Sequence, residues 1–134
     1  MSNSTTDFTL IKAARLVDGT GGPPTERVAV LIEGDRIRSV GTEETVLPPE
    51  GANVQEFEYN DQTVLPGLID SHVHLIGFGD DRMGDELATI PDEVLALQAA
   101  RNARTHLYSG VTTVRDCGAK NRTTFMLRQA MQLG

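Results

Sequence analysis

Two of the three histidines in this sequence, His72 and His74, are separated by a single valine. In an extended strand, successive side chains alternate faces and rise about 3.3 Å per residue. The two imidazoles then stand on one face, roughly 6.6 Å apart along the strand. Imidazole nitrogens bind divalent metals at about 2.0–2.1 Å, so a pair placed this way can converge on one ion. Asp70 shares their parity and is a candidate acceptor for a liganding histidine, fixing its tautomer. Strands that bind nothing also carry His-x-His, so the pair alone leaves metal binding open.

Other reactive residues carry weaker signals. Asp116 closes a β-rich run, Val111 to Val114. It is a candidate for substrate contact or for a hydrogen bond behind the metal ligands, although capping the loop that follows is the stronger reading. His106 sits in a helical stretch beside Leu107, which reads as a surface or helix-end histidine. Cys117 is the sole cysteine. With no activating histidine nearby in sequence, it reads as a small buried hydrophobe. Gly19-x-Gly21-Gly22 is not followed by a helix, so it is not a dinucleotide loop. The acidic pairs Asp80-Asp81 and Asp85-Glu86 read as a solvated loop.

The elements that must position the histidines follow from texture. Residues 1–7 read as a disordered tail. Phe8 to Ala13, Arg27 to Ile32 and Arg36 to Val40 read as strands, with Glu33-Gly34-Asp35 as a hairpin turn. Val54 to Tyr59 and Gln62 to Leu65 add two more. Residues 8–65 thus form a small β-rich segment, one that would bury little surface alone. The texture changes at Pro66-Gly67. Leu68 to Ile76, which holds the histidines, reads as a buried strand. Gly77 to Ile90 reads as a long loop. Pro91-Asp92-Glu93 opens a helix, since proline suits its first turn and acids suit its dipole. Ala96, Ala100, Ala103 and Leu107 supply its apolar face. Val111 to Val114 is a second buried strand, and Thr123 to Leu133 a further helix. Alternating strands and helices imply parallel strands joined by helical crossovers. The fold class is α/β with a β-rich N-terminal part.

Composition narrows the function classes. The net charge is −7, with no basic patch, which argues against nucleic-acid binding. Aromatic residues make up 4% and tryptophan is absent, so any core must be aliphatic. A single cysteine cannot form an intrachain disulfide, as suits a reducing, cytoplasmic setting. No basic start with an apolar core marks a signal peptide. No apolar run approaches the ~20 residues that span a bilayer, so no membrane partner is expected.

Pro66-Gly67-Leu68-Ile69-Asp70-Ser71-His72-Val73-His74 resembles the signature of the amidohydrolase superfamily. Two further segments agree, in the family's order. Val30 to Gly41 is similar to the hairpin of its β-sandwich domain, and Gly110 to Gly118 resembles its second barrel strand. Together with Ala14 to Gly21, the latter looks most like the imidazolonepropionase and Xaa-Pro dipeptidase branch. The resemblance implies a β-sandwich segment over 8–65 and the first two βα units of a (β/α)₈ barrel over 66–134. It implies one or two divalent metals, usually zinc, held in part by His72 and His74. The family's other ligands are a Lys or Glu on the fourth strand, histidines on the fifth and sixth, and an Asp on the eighth. The implied reaction is hydrolysis of a C–N bond in an amide, cyclic amide or dipeptide-like substrate by a metal-bound hydroxide.

This sequence departs from the family in length. A complete barrel takes about 250 residues, and the stretch from Pro66 to Gly134 is far shorter. The fourth-, fifth-, sixth- and eighth-strand residues have no counterpart, so the catalytic Asp is unassigned. The expectation is the front part of a hydrolase, inactive alone, whose partner is the remainder of the barrel in the same or another chain. An oligomer fits that expectation. Two alternatives stand beside it: a non-catalytic remnant serving as an interaction module, and an unrelated α/β fold with a coincidental His-x-His.

Overall fold

The structure, a computed structural model, describes residues 7–82 and 84–134. The chain divides into two compact units, with the boundary between Pro66 and Gly67. The expected tail lies outside the described residues, except for Asp7, which already belongs to the first strand.

The first unit contains β1 (Asp7–Leu16), β2 (Thr25–Glu33), β3 (Arg36–Thr42) and β4 (Asn53–Val64). They form one four-stranded sheet in the order β3-β2-β1-β4. β2 is antiparallel to both β1 and β3, and β4 runs parallel to β1. Val28-Ala29-Val30-Leu31 of β2 are all buried, so this inner strand is covered on both faces. Phe8, Leu10, Ala29, Leu31 and Val46 make the main apolar cluster. The two strands expected over 54–59 and 62–65 are one continuous strand. The register with β1 shifts between Ala13 and Arg15, whose partners are Tyr59 and Thr63. That irregularity absorbs the extra residues around Asn60-Asp61 without ending the strand.

The second unit contains β5 (Leu68–Val73), α1 (Gly84–Thr89), α2 (Asp92–Tyr108), β6 (Val111–Asp116) and α3 (Thr123–Leu133). β5 and β6 pair in parallel, with the helical crossover that parallel pairing needs. Gly67 lets the chain enter β5 close against β6. A Cβ there would overlap the side chain of Thr112. No helix among the described residues is long and apolar enough to cross a membrane.

Several local expectations are corrected. Neither strand is buried along its length: Ile69 is 73% exposed, and Thr112 and Thr113 are exposed. The helices of this unit gather on one core, which takes Val73 and Val114 from the two strands. β5 also stops at Val73. Leu75 and Ile76 are buried, but through a turn in which the Gly77 N–H donates to the His74 carbonyl at 2.9 Å. The expected loop 77–90 contains α1, whose first turn carries Asp85 and Glu86, where acids suit the helix dipole. On α2 the buried face is Leu95 and Ala99, one position before the expected Ala96 and Ala100. Leu95 and Ala99 join Val73, Leu75 and Ile76 in the core of this unit. Complete burial of a leucine such as Leu95 contributes about 1.5–3 kcal/mol.

Candidate metal centre

Val73 is buried in the core while His72 and His74 are exposed, as strand alternation requires. The two imidazoles meet edge to face, with ring centres 5.3 Å apart and planes at 68°. Two imidazoles on one tetrahedral ion, each at about 2.0–2.1 Å, have centres about 5 Å apart. The observed spacing suits shared coordination.

The His74 ring is held from behind. Its Nδ1 lies 2.9 Å from the carbonyl oxygen of Gly118. A carbonyl only accepts, so Nδ1 is the donor in this contact, and in a neutral ring that leaves Nε2 with the lone pair a metal ligand needs. Gly118 sits tightly against that ring: a Cβ at 118 would lie 3.2 Å from His74 Cε1.

Asp116 ends β6 and touches backbone only. One carboxylate oxygen accepts from the Gly118 N–H at 3.0 Å and the other from the Leu75 N–H at 3.3 Å. Asp70 likewise accepts from a backbone amide, that of His72, at 3.1 Å. The atom that meets an imidazole nitrogen is therefore the Gly118 carbonyl, a group that carries no residue-type signal in a sequence.

The loop after β5 is gripped by α2. Asn102 Nδ2 donates to the carbonyls of Leu75 and Gly77, at 2.8 and 2.6 Å. Gln98 Nε2 adds bonds to the Gly77 carbonyl and to Asn102 Oδ1. These two polar residues on the inner side of α2 satisfy carbonyls that the end of β5 leaves unpaired. Sequence reading passed over them. Two amides at i and i+4 in an otherwise apolar helix face were the available signal.

His74 borders two clefts. One, of about 480 Å³, is lined also by Phe78, Asn102 and His106. The other, of about 410 Å³, is lined by Ile76, Leu87 and Lys120. His106, read from the sequence as a surface or helix-end histidine, lines the same cleft as His74. Cys117, expected to be buried, is exposed. Its Sγ lies 3.7 Å from the Ser71 carbonyl on the neighbouring strand, one residue past the end of β6. Asp80 pairs with Arg82 at 3.1 Å, and Asp85 and Glu86 are exposed on α1.

Among the described residues, no group of three or more His, Cys, Asp or Glu side chains is placed to hold a metal. The His72–His74 pair therefore fits a metal as two donors of a larger set. Their imidazoles suit zinc in type, and the Gly118 contact presets one of them.

The comparisons with known proteins are consistent with one another. The chain is similar to an imidazolonepropionase from Anaeromyxobacter dehalogenans, 32% identical over 112 residues, covering 64% of this chain and 26% of that relative. It is similar to the N-substituted formamide deformylase of Arthrobacter pascens, 40% identical over 72 residues, covering 50% of this chain and 13% of the relative. Among solved structures, a Xaa-Pro dipeptidase with bound methionine in the active site superposes with a TM-score of 0.76 at 28% identity. That match covers 95% of this chain and 30% of the dipeptidase. The chain thus spans about a quarter or less of these two relatives and under a third of that structure. Residues 63–134 match the amidohydrolase family, more than half of the sequence, and the chain belongs to that family.

Proposed function

We propose that this chain supplies the N-terminal part of a metal-dependent hydrolase acting on a carbon–nitrogen bond. The substrate class is a small amide, cyclic amide or dipeptide-like molecule. The first unit is part of a β-sandwich, and the second is the start of a (β/α)₈ barrel. Support comes from the family match and from relatives named for cleaving such bonds.

The observation that carries the site is the His72–His74 pair, with the Gly118 carbonyl on His74 Nδ1. His72 and His74 contribute two metal ligands. A divalent metal bound there, zinc foremost, supplies an acidified water and a polarised substrate carbonyl. His74 presents Nε2 because its other nitrogen is engaged. The turn at 74–77, gripped by Asn102 and Gln98, holds His74 at the end of β5. The remaining ligands and the proton-moving carboxylate come from the rest of the barrel.

Native mass spectrometry with metal analysis on the complete protein, followed by amide hydrolysis assays, tests this reading. A zinc-bearing hydrolase that loses metal and activity on His72→Ala or His74→Ala is the expected result. Undiminished hydrolysis by both variants would remove the metal assignment. A folded protein with neither metal nor hydrolysis would favour an interaction module instead.

A further inference from the structure

We infer that Asp116 is a positioning residue for His74, acting through the Gly118 carbonyl. The inference rests on His74 being a metal ligand, but the contacts stand without that reading. One carboxylate accepts from two backbone amides on different strands' ends. Its Oδ2 takes the N–H of Leu75, the residue after His74, at 3.3 Å. Its Oδ1 takes the N–H of Gly118 at 3.0 Å. The Gly118 carbonyl in turn accepts from His74 Nδ1 at 2.9 Å. A closed circuit results: carboxylate, Gly118, imidazole, the peptide that follows the imidazole, and back to the carboxylate.

The strand pairing runs out at Val73 and Asp116, followed by the Cys117 N–H donating to the Val73 carbonyl at 2.9 Å. Beyond it both chains leave the sheet, so no regular pairing fixes where Gly118 lies relative to His74. Asp116 supplies that link. A carboxylate suits the task because both its oxygens are acceptors, and both facing groups are N–H donors. Asparagine keeps one acceptor and turns a donor toward the second N–H. Alanine keeps neither. Freed from its carbonyl, the imidazole is no longer held with the proton on Nδ1.

The test is the tautomeric state of His74 in the full chain, read from long-range proton–nitrogen NMR correlations above the pH of imidazole titration. His74 should carry its proton on Nδ1 in the unaltered chain. In Asp116→Ala it should shift toward Nε2 protonation, with His72 and His106 unmoved, and in Asp116→Asn it should shift part of the way. A purely structural role would lower the melting temperature and leave the surviving folded population with the original tautomer. An unchanged tautomer in folded Asp116→Asn, the milder change should Asp116→Ala fail to fold, overturns the inference. Protonation on Nε2 in the unaltered chain overturns it as well. Zinc alone, titrated into the same proteins, separates the two readings. Binding weakened about 10–100-fold in the Asp116 variants is expected from the loss of such an outer contact. If the tautomer shifts but zinc binding ignores His72→Ala and His74→Ala, the metal reading fails and the positioning role remains.

Discussion

His74 Nδ1 and the Gly118 carbonyl oxygen face each other at 2.9 Å, joining the ends of two parallel strands through an imidazole ring. The ring and the glycine are in near contact, and a methyl group at 118 would reach 3.2 Å from Cε1. That is closer than side-chain carbons normally approach, so the ring must tilt to admit it.

Gly118→Ala should therefore weaken zinc binding by about 10–100-fold, the usual cost of disturbing a ligand's outer hydrogen bond. The fold should persist, because the site is exposed. Zinc titration alongside far-ultraviolet circular dichroism measures both. Equal zinc affinity in the alanine variant would mean that the ring has room to spare.

Asn102→Ala removes the donor shared by the Leu75 and Gly77 carbonyls. A part-buried polar group left without its partner costs about 1–3 kcal/mol. Chemical denaturation should report a loss in that range. Amide exchange should quicken over residues 74–78 more than in α3. Asn102→Asp should not rescue, since a carboxylate cannot donate to a carbonyl.

The carboxyl of Asp92 is held below its ordinary value, first by the Asn121 side-chain amide and then by Lys120. A depressed folded-state pKa stabilises above the unfolded value and is lost as the pH falls through the folded value. The contacts join the start of α2 to the segment before α3, with Asn121 Nδ2 at 2.9 Å and Lys120 Nζ at 3.2 Å. The melting-temperature gap between the unaltered chain and Asp92→Asn should be full at neutral pH and close below about pH 4. Asp92 is exposed enough for salt to shrink the gap. A gap independent of pH would assign it to shape rather than charge.

What could be read in advance divides along physical lines. The shared face of His72 and His74 was legible, because strand alternation is local and Val73 between them is apolar. The start of α2 was legible from Pro91, Asp92 and Glu93, and the extent of α3 from its run of helix formers. The end of β5 was not. Leu75 and Ile76 are apolar enough to continue a strand, and only the distant Asn102 and Asp116 show why the chain turns there. The buried face of α2 was legible only in part: Ala103 packs on the core as expected, but Leu95 and Ala99, rather than Ala96 and Ala100, are its fully buried residues. Ala96, Ala100, Ala103 and Leu107 make a good apolar stripe on paper. The true inner face includes Gln98 and Asn102, whose amides answer carbonyls from another element. Gly118 was invisible as part of the site because it acts through its backbone.

The parallel pairing of β1 with β4 bears on how the first unit comes together. β2 and β3 are joined by the short Gly34-Asp35 link, and β1 precedes β2 by one loop, so these three strands can associate early. β4 must return past both hairpins to reach the far side of β1, and the closure of that long loop is opposed by chain entropy. Its pairing should be the last step of assembly and the first lost on unfolding. Pulsed amide exchange during refolding would show β2 protected before β4, and simultaneous protection would mean a nucleus that already spans the whole sheet.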